Sequence, residues 1–306
     1  MKTRYDFHTL DVFTQTRFGG NPLAVFPEAD GLDAPLMQQI AGEMNLSETV
    51  FVLPPTDSRA LCKVRIFTPR RELPFAGHPT VGTGYVLATL GRIPLREERN
   101  TAIFEENVGL VPVEVRARDG KADFVQLSVA KLPEFGPPPP DRNQLAALLH
   151  IAAEDILDGV DRPQAVSCGV PFLFVPVRDR SVLARATPDV GRWKAGLGDY
   201  YAREIFVFCR DPELTGSNLR ARMFAPEAGI IEDPATGGAC AAFGGYLGVR
   251  ATLTDGPLHW VVEQGFEMKR PSLLHIEVDM KGGKVAGVRV GGHCVLVSQG
   301  NLRLDS

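Results

Sequence analysis

Three titratable side chains in this sequence stand where they could move a proton, because each lies at or beside the start of a predicted helix or strand. His78 begins one helix, Asp233 precedes another, and Glu48 opens a strand. Histidine and carboxylates are the residue types that general acid–base catalysis uses. Each also has an ordinary structural explanation: a helix-capping histidine, a turn residue before Pro234, and a solvated strand end. Position alone leaves both roles open.

The two helices at these positions are uncharged. One is expected within residues 74–90, closed by Gly91, and the other within residues 233–247, closed by Gly248, each with a capped start and a glycine end. A helix without charge on any side is buried on all sides. Internal glycines cost ~1 kcal/mol each relative to alanine, which indicates close approach of backbone or ligand.

The start of a buried helix offers unpaired N–H groups, which attract anions. If two such starts face each other across a cleft, they could hold a small carboxylate between them. Phosphate is the competing ligand, but the sequence has no phosphate-binding loop, and Gly82-x-Gly84 lacks the third glycine and the preceding strand of a dinucleotide motif. A small organic acid is therefore the expected ligand.

The sequence repeats itself on either side of four consecutive prolines at 137–140, which cannot continue a helix or a central strand. Three pairs of segments match in the same order: 20–25 with 169–174, 48–52 with 204–208, and 65–69 with 222–226. The last two pairs are displaced by 156 and 157 residues. The alternative is a chance likeness of short apolar strands. The repeat predicts an α+β fold of two similar halves, each a mostly antiparallel sheet wrapped around a central buried helix.

Both halves show the same order of predicted elements. Strands are expected at 7–13, 23–26, 49–53 and 63–68 in the first half, and at 165–177, 205–209 and 218–224 in the second. A helix should open near Asp33, with Pro35 in its first turn and an apolar face of Leu36, Ile40 and Met44. Its counterpart should open at residues 187–188 and run towards residue 197. Glu204, the counterpart of Glu48, is expected to be a solvated residue.

Composition limits the class of protein. The 306 residues carry 33 Lys and Arg against 37 Asp and Glu, a net charge of −4, without a basic run that would suit nucleic acid or an anionic membrane. No secretory signal and no membrane-spanning stretch are apparent, so a soluble, cytoplasmic protein is expected. The five cysteines form no C-x-x-C pair and are expected to be reduced, and no metal-ligand spacing occurs.

Several motifs together resemble the phenazine-biosynthesis PhzF family of isomerases. They occur in order at 20–25, 45–49, 65–69, 74–80, 232–237, 264–265, 270–272 and 291–292, and so cover nearly the whole chain. The resemblance implies the diaminopimelate epimerase-like fold, which agrees with the repeat. It also implies a first half of 1–130, completed by a returning strand at 294–306, and a second half of 131–293. A homodimer is typical of the family.

The resemblance further implies proton transfer without a cofactor or metal. Glu48 would carry the proton, while His78 and Asp233 would position the substrate and tune protonation. Further substrate contacts are implied at five positions: Asn21, Ser47, Gly77, Gly237 and Gly238. The family often has serine where Gly238 stands, which puts substrate specificity in doubt more than the chemistry.

The expected function is isomerisation of a small unsaturated carboxylic acid, with Glu48 taking the proton from one carbon and returning it at another. Charge that develops on oxygen would be stabilised by N–H groups at the helix starts. Two alternatives stay open: a non-catalytic acid-binding protein of the same fold, and an epimerase that uses carboxylates. A two-thiol racemase is disfavoured, because 75–77 and 233–236 contain no cysteine and Cys240 lies one helical turn inside.

Overall fold

The structure is a computed structural model that describes residues 3–304. Its internal contacts divide the chain into two compact units. The first unit comprises the residues up to Ala130 together with those from Val290 onward, and the second comprises Lys131–Arg289. No helix among residues 3–304 is long and apolar enough to cross a membrane.

The elements follow one another in similar order in the two units. Up to Ala130 they are β1 (Arg4–Val12), β2 (Asn21–Phe26), α1 (Ala34–Met44), β3 (Glu48–Leu53), β4 (Cys62–Phe67), β5 (Glu72–Leu73), α2 (Gly77–Thr89), β6 (Arg99–Glu106), β7 (Gly109–Arg118) and β8 (Lys121–Ser128). From Lys131 they are β9 (Glu134–Phe135), α3 (Arg142–Leu149), β10 (Gln164–Ser167), β11 (Pro171–Pro176), α4 (Arg180–Arg185), α5 (Val190–Leu197), β12 (Glu204–Cys209), β13 (Leu219–Ala225), β14 (Ile230–Asp233), α6 (Gly237–Gly248), β15 (Gly256–Gln264), β16 (Ser272–Lys281) and β17 (Lys284–Arg303).

The strands of the first unit form a closed ring. Strand β1 pairs with β2, β2 with β3, β3 with β4, β4 with β6, β6 with β7, and β7 with β8. Strand β17 pairs with both β8 and β1, which closes the circle. The β2–β3 and β4–β6 pairs are parallel, whereas β1–β2, β3–β4, β6–β7, β7–β8 and β1–β17 are antiparallel.

Helix α2 lies inside this ring, and its glycines explain how it fits. A Cβ atom on Gly82 would lie 2.5 Å from Cδ2 of Leu23, and one on Gly84 would lie 3.0 Å from side chains of β7 and β8. The expected close approach to the helix is therefore made by side chains of the surrounding strands. Helix α1 packs outside, where Met37, Ile40 and Ala41 are buried.

The second unit repeats the strand order of the first. Its β11–β12 and β13–β15 pairs are parallel, like β2–β3 and β4–β6, and its β12–β13 and β15–β16 pairs are antiparallel. The register also repeats, because Leu23 pairs with Glu48 in one unit and Phe172 with Glu204 in the other. These are the residues that the sequence repeat aligns. The central helix is α6, in which every residue except Gly238 is buried. The predicted fold class is confirmed.

Several boundaries differ from the prediction for local reasons. The expected strand at 165–177 is a hairpin of β10 and β11 around Gly169, whose φ is +125°. Helix α5 begins at Val190, because the Asp189 side chain accepts a hydrogen bond from the Arg192 N–H. Helix α6 includes Gly248 and ends at Val249. Glu204 is half-buried at the start of β12, so its description as a solvated residue was too simple.

The C-terminal region also differs from expectation. The returning strand predicted at 294–306 is part of the longer strand β17, which Gly291 does not interrupt. A side chain at Gly291 would lie 2.6 Å from the backbone oxygen of Val125 on β8, so close strand approach explains this glycine. Of the predicted returning segment 294–306, the last two residues lie outside the described part of the chain.

Candidate active site

Glu48 and His78 meet inside the first unit. Nε2 of His78 lies 3.1 Å from Oε2 of Glu48, and the two side chains are 5% and 11% exposed. Glu48 is the first residue of β3, and His78 lies in the first turn of α2. The structure thus brings together two of the three titratable residues that the sequence singles out, in a setting that excludes most water.

Strand register explains why Glu48 faces α2. Glu48 pairs with Leu23 on β2, and Leu23 contacts the position of Gly82 on α2. Paired residues on neighbouring strands point to the same face of the sheet. Asn21, two residues before Leu23, is fully buried and pairs with Val12, which also lies against Gly82. Asn21 therefore lies on the same inner face as Glu48.

Burial keeps His78 neutral. Loss of hydration lowers the pKa of His78 to about 3, because a charged imidazole is poorly solvated inside the unit. The contact with Glu48 is therefore not an ion pair at neutral pH. A neutral imidazole has one N–H and one lone pair. It can therefore stay hydrogen-bonded to a carboxyl group in either protonation state, and no salt bridge is lost when that carboxyl group takes up a proton.

The segment that leads into α2 is fixed by an arginine–glutamate pair. Arg65 donates two hydrogen bonds to Glu72, from Nε at 2.8 Å and from Nη2 at 2.7 Å. Asn107 also donates to Glu72, at 3.1 Å. Bidentate arginine–carboxylate pairs are geometrically specific. The start of α2 is thus held by side chains of β4 and of the turn after β6.

The predicted caps at the helix starts are absent from the described structure. Ala76 precedes α2 and Thr236 precedes α6, and neither side chain accepts a hydrogen bond from a helical N–H group. Thr236 instead donates to the carboxylate of Asp233, at 2.5 Å. The cap prediction was therefore wrong.

Asp233 in the second unit is positioned by Gln264 and Thr236. The Gln264 Nε2 group donates to the Asp233 backbone oxygen at 2.7 Å and to Thr236 Oγ1 at 3.0 Å, and its Oε1 accepts from the Thr236 N–H at 3.0 Å. Asp233 is 6% exposed and Gln264 is fully buried. The carboxylate thus sits in a fixed turn at the start of α6.

The second unit repeats the arginine–glutamate pair. Arg222 donates to Glu232 from Nε at 2.8 Å and from Nη2 at 2.7 Å. Its Nη1 also donates to three backbone oxygens at the end of α4, including that of Ala186 at 2.6 Å. Glu72 and Glu232 each stand five residues before the first residue of the following central helix. Both helix starts are therefore supported in the same way.

The remaining predicted site residues lie close in sequence to the titratable residues of each unit. Ser47 precedes Glu48 and is half-buried; Gly77 begins α2 and Gly237 begins α6, and both are buried. Glu106 was missed by sequence reasoning, and Thr80, Thr236 and Gln264 were noticed only as parts of motifs. A glutamate at a strand end normally indicates exposure, so no sequence signal pointed to Glu106. No group of three or more His, Cys, Asp or Glu within residues 3–304 is placed to hold a metal ion.

We expect Gly238→Ser to be tolerated and Gly245→Ser to be destabilising. A Cβ atom on Gly238 would meet Phe172 at 3.8 Å, an ordinary contact, whereas one on Gly245 would lie 2.2 Å from Cβ of Pro133. Overpacking of this kind costs about 1–3 kcal/mol. Urea unfolding of the two variants and the parent protein measures the difference. Equal loss of stability in both variants would show that the start of α6 is packed as tightly as its middle.

We expect Cys240→Ala to leave catalysis intact. All five cysteines are buried, and burial raises the pKa of the Cys240 thiol, so it stays protonated and unreactive. The change removes a small buried group and should cost about 1 kcal/mol of stability. Turnover and thermal unfolding of the variant measure both effects. Loss of turnover in a folded Cys240→Ala protein would instead support a thiol mechanism.

Comparison with known proteins finds relatives that match nearly the whole chain. The profile of the PhzC-PhzF family, described as phenazine biosynthesis-like protein, matches residues 10–300. An uncharacterized isomerase of Mesorhizobium japonicum is 41% identical, with 99% of each chain covered. The trans-2,3-dihydro-3-hydroxyanthranilate isomerase of Pseudomonas aeruginosa is 32% identical over 96% of this chain and 98% of its own. A PhzF-family crystal structure from Bacillus anthracis superimposes with a TM-score of 0.85 at 27% identity, covering 99% of both chains.

Proposed function

We propose, from the premise that this chain belongs to the PhzC-PhzF family, that it moves a proton between two carbons of a small unsaturated carboxylic acid without a cofactor. The family predicted from the sequence motifs is confirmed by the profile match. The chain is an isomerase, in keeping with its named relatives. The substrate and the role of Glu48 are the proposal. The observation that carries it is the buried contact between Glu48 and His78.

Glu48 is proposed as the group that carries the proton. As a carboxylate it removes a proton from a carbon next to the unsaturated system, and the electron pair moves into that system towards the substrate carboxylate. As a carboxylic acid it then returns the proton to a second carbon, so that the double bond migrates and no atom is gained or lost. Neutral His78, held against Oε2, orients the carboxyl group through both states.

The substrate carboxylate is proposed to bind to N–H groups at helix starts. In the first unit we assign such a group to Gly77, which begins α2, and we assign further substrate contacts to the buried Asn21 and to Ser47. In the second unit we assign substrate binding to Asp233 and to the N–H groups of Gly237 and Gly238. Donors that face developing negative charge in a water-poor site contribute the largest share of many enzymatic rate enhancements. The helix starts thus complement the enolate-like charge that proton removal creates.

The experiment that tests this function uses the substrate for which the Pseudomonas aeruginosa relative is named. The protein is mixed with trans-2,3-dihydro-3-hydroxyanthranilate in D2O, and proton NMR follows the carbon-bound hydrogens. Migration of the double bond would support the proposal, whether the hydrogen at the new position is the one that was removed or deuterium that Glu48 has exchanged with the solvent. Deuterium entering at one carbon without migration would instead identify an epimerase. Binding detected by calorimetry, without either change, would identify an acid-binding protein.

A further inference from the structure

The last residues of two equivalent strands carry buried polar side chains that reach the central helix starts. Glu106 ends β6 and Gln264 ends β15, the strands that follow α2 and α6 and that pair in parallel with β4 and β13. Glu106 is 4% exposed and Gln264 is fully buried. Gln264 fixes the turn before α6 through three hydrogen bonds. Glu106 stands at the same place in the first unit.

Glu106 reaches the start of α2 through Thr80. Oε1 of Glu106 lies 2.6 Å from Oγ1 of Thr80, which lies 2.8 Å from the backbone oxygen of Ala76. The helical hydrogen bond from the Thr80 N–H to the same Ala76 oxygen is long, at 3.4 Å. The hydroxyl of Thr80 is therefore the closer partner of the Ala76 carbonyl.

The number of protons available to these hydrogen bonds indicates that Glu106 is a neutral carboxylic acid. The Thr80 hydroxyl has one proton and cannot donate to Glu106 and to Ala76 together. If Glu106 is protonated, it donates to Thr80, and Thr80 donates to the Ala76 carbonyl. Burial raises the pKa of Glu106 to about 8, which agrees with this arrangement. A carboxylic acid is also close in shape to the amide of Gln264 in the other unit.

The orientation of the Ala76 carbonyl decides where the next N–H points. A trans peptide unit is planar, with its C=O and N–H directed oppositely. Holding the Ala76 oxygen against Thr80 therefore directs the Gly77 N–H away from the helix. The turn after β6 adds a further constraint, because the Val108 N–H donates to the backbone oxygen of Pro74 at 3.1 Å.

We propose that Glu106 is a positioning residue, a neutral acid that acts through Thr80 and the Ala76 carbonyl to aim the Gly77 N–H at the substrate carboxylate. The inference rests on the proposed function for the role of Gly77. It adds to that function a residue outside the proposed substrate contacts, and its repeat counterpart Gln264 supports the start of α6 with an amide.

Two other ionisable groups near Glu106 have pKa values far from 8. The thiol of Cys62 on β4 has a pKa raised to about 12, mainly by burial and partly by Glu106 itself. Lys63 and Glu105 pair with each other at 3.1 Å, and hydrogen bonds lower the pKa of Glu105 to about 2. A transition near pH 8 that Glu106→Gln abolishes can therefore be assigned to Glu106.

The first test is the pH dependence of the Gly77 amide signal in a 15N-labelled protein. We expect the signal to shift with a midpoint near pH 8 in the parent protein and to stay constant in Glu106→Gln, which keeps a neutral donor. Thr80→Val should displace the signal at every pH, whereas Thr80→Ser should behave like the parent. A Gly77 signal that does not titrate in the parent protein would overturn the proposal.

Stability gives a second readout that is independent of activity and of the proposed role of Gly77. The ordinary pKa of the side chain is 4.5 and the folded value is about 8. Between these values the unfolded chain has lost a proton that the folded protein retains, so stability falls as pH rises. The urea midpoint should therefore fall between pH 5 and 8 more steeply in the parent than in Glu106→Gln. Equal slopes would overturn the neutral acid.

Kinetics then separates positioning from general support of the fold. For an acid that the parent protein isomerises, KM should rise by about tenfold above pH 8, while kcat changes little. A rise of this size is expected when a hydrogen bond to a charged group is weakened. Glu106→Gln should keep the low KM across that range. A KM that rises equally in both proteins would contradict the proposal. Absence of turnover in the parent would count against the proposed function alone, and the Gly77 titration would still decide the positioning role.

Discussion

Deletion of residues 294–306 is expected to unfold the first unit rather than trim a loose tail. Strand β17 pairs with β1 from Cys294 opposite Val12 to Arg303 opposite Arg4, and it also pairs with β8. Removing this stretch opens the ring of strands around α2. Leu302 and Leu304 would also be lost from the apolar cluster that includes Tyr5 and Phe26.

Two probes can follow the two units separately in the truncated protein. Both tryptophans, Trp193 and Trp260, belong to the second unit, so tryptophan fluorescence reports on that unit. Hydrogen exchange of peptides from β1 to β8 reports on the first. We expect these peptides to exchange fully within the dead time in the truncated protein and slowly in the full chain. A truncated protein with protected β1–β8 peptides and one cooperative transition would contradict this account.

The repeat explains why so much of the fold could be predicted from the sequence. Strand pairs with the same apolar pattern recur in order, and the register of Leu23 with Glu48 recurs as Phe172 with Glu204. The uncharged runs at α2 and α6 predicted helices buried on all sides, since a surface helix needs a polar face. Helix α1 opens near Asp33 as predicted, and the Asp33 side chain caps it by accepting from the Leu36 N–H at 2.9 Å.

Side-chain interactions between distant residues could not be predicted in the same way. The bond between Arg65 and Glu72 and that between Arg222 and Glu232 depend on short strands, β5 and β14, that have no apolar pattern of their own. Glu106 follows Glu105, and nothing in the residue types shows which of the two points inward.

Helix starts were also harder to predict than the helices themselves. A threonine before a glycine-rich run normally caps a helix, but the Thr236 hydroxyl donates to Asp233 and accepts from the Gln264 amide. The role of Glu48 was difficult to predict for a different reason. Its position at a strand end is typical of a solvated residue, and only its pairing with Leu23 places it beside His78.

Glu48→Gln is expected to abolish isomerisation while the fold and ligand binding persist. An amide matches the size and hydrogen-bonding capacity of the carboxyl group, but it cannot take up and release a proton. The rate should fall by at least the ~10²–10⁴ that general acid–base catalysis contributes. The chain offers a matched control in Glu204→Gln, because Glu204 begins β12 at the position that Glu48 has on β3. We expect this control to react at the parental rate.

The most direct test of the proposed mechanism is the rate at which the acid is isomerised in D2O, with binding of the acid measured by calorimetry on the same samples. We predict that the rate falls at least about a hundredfold in Glu48→Gln and is unchanged in Glu204→Gln, with similar affinity in all three proteins. Equal rates of isomerisation in Glu48→Gln and the parent protein would contradict this prediction and remove Glu48 from the mechanism.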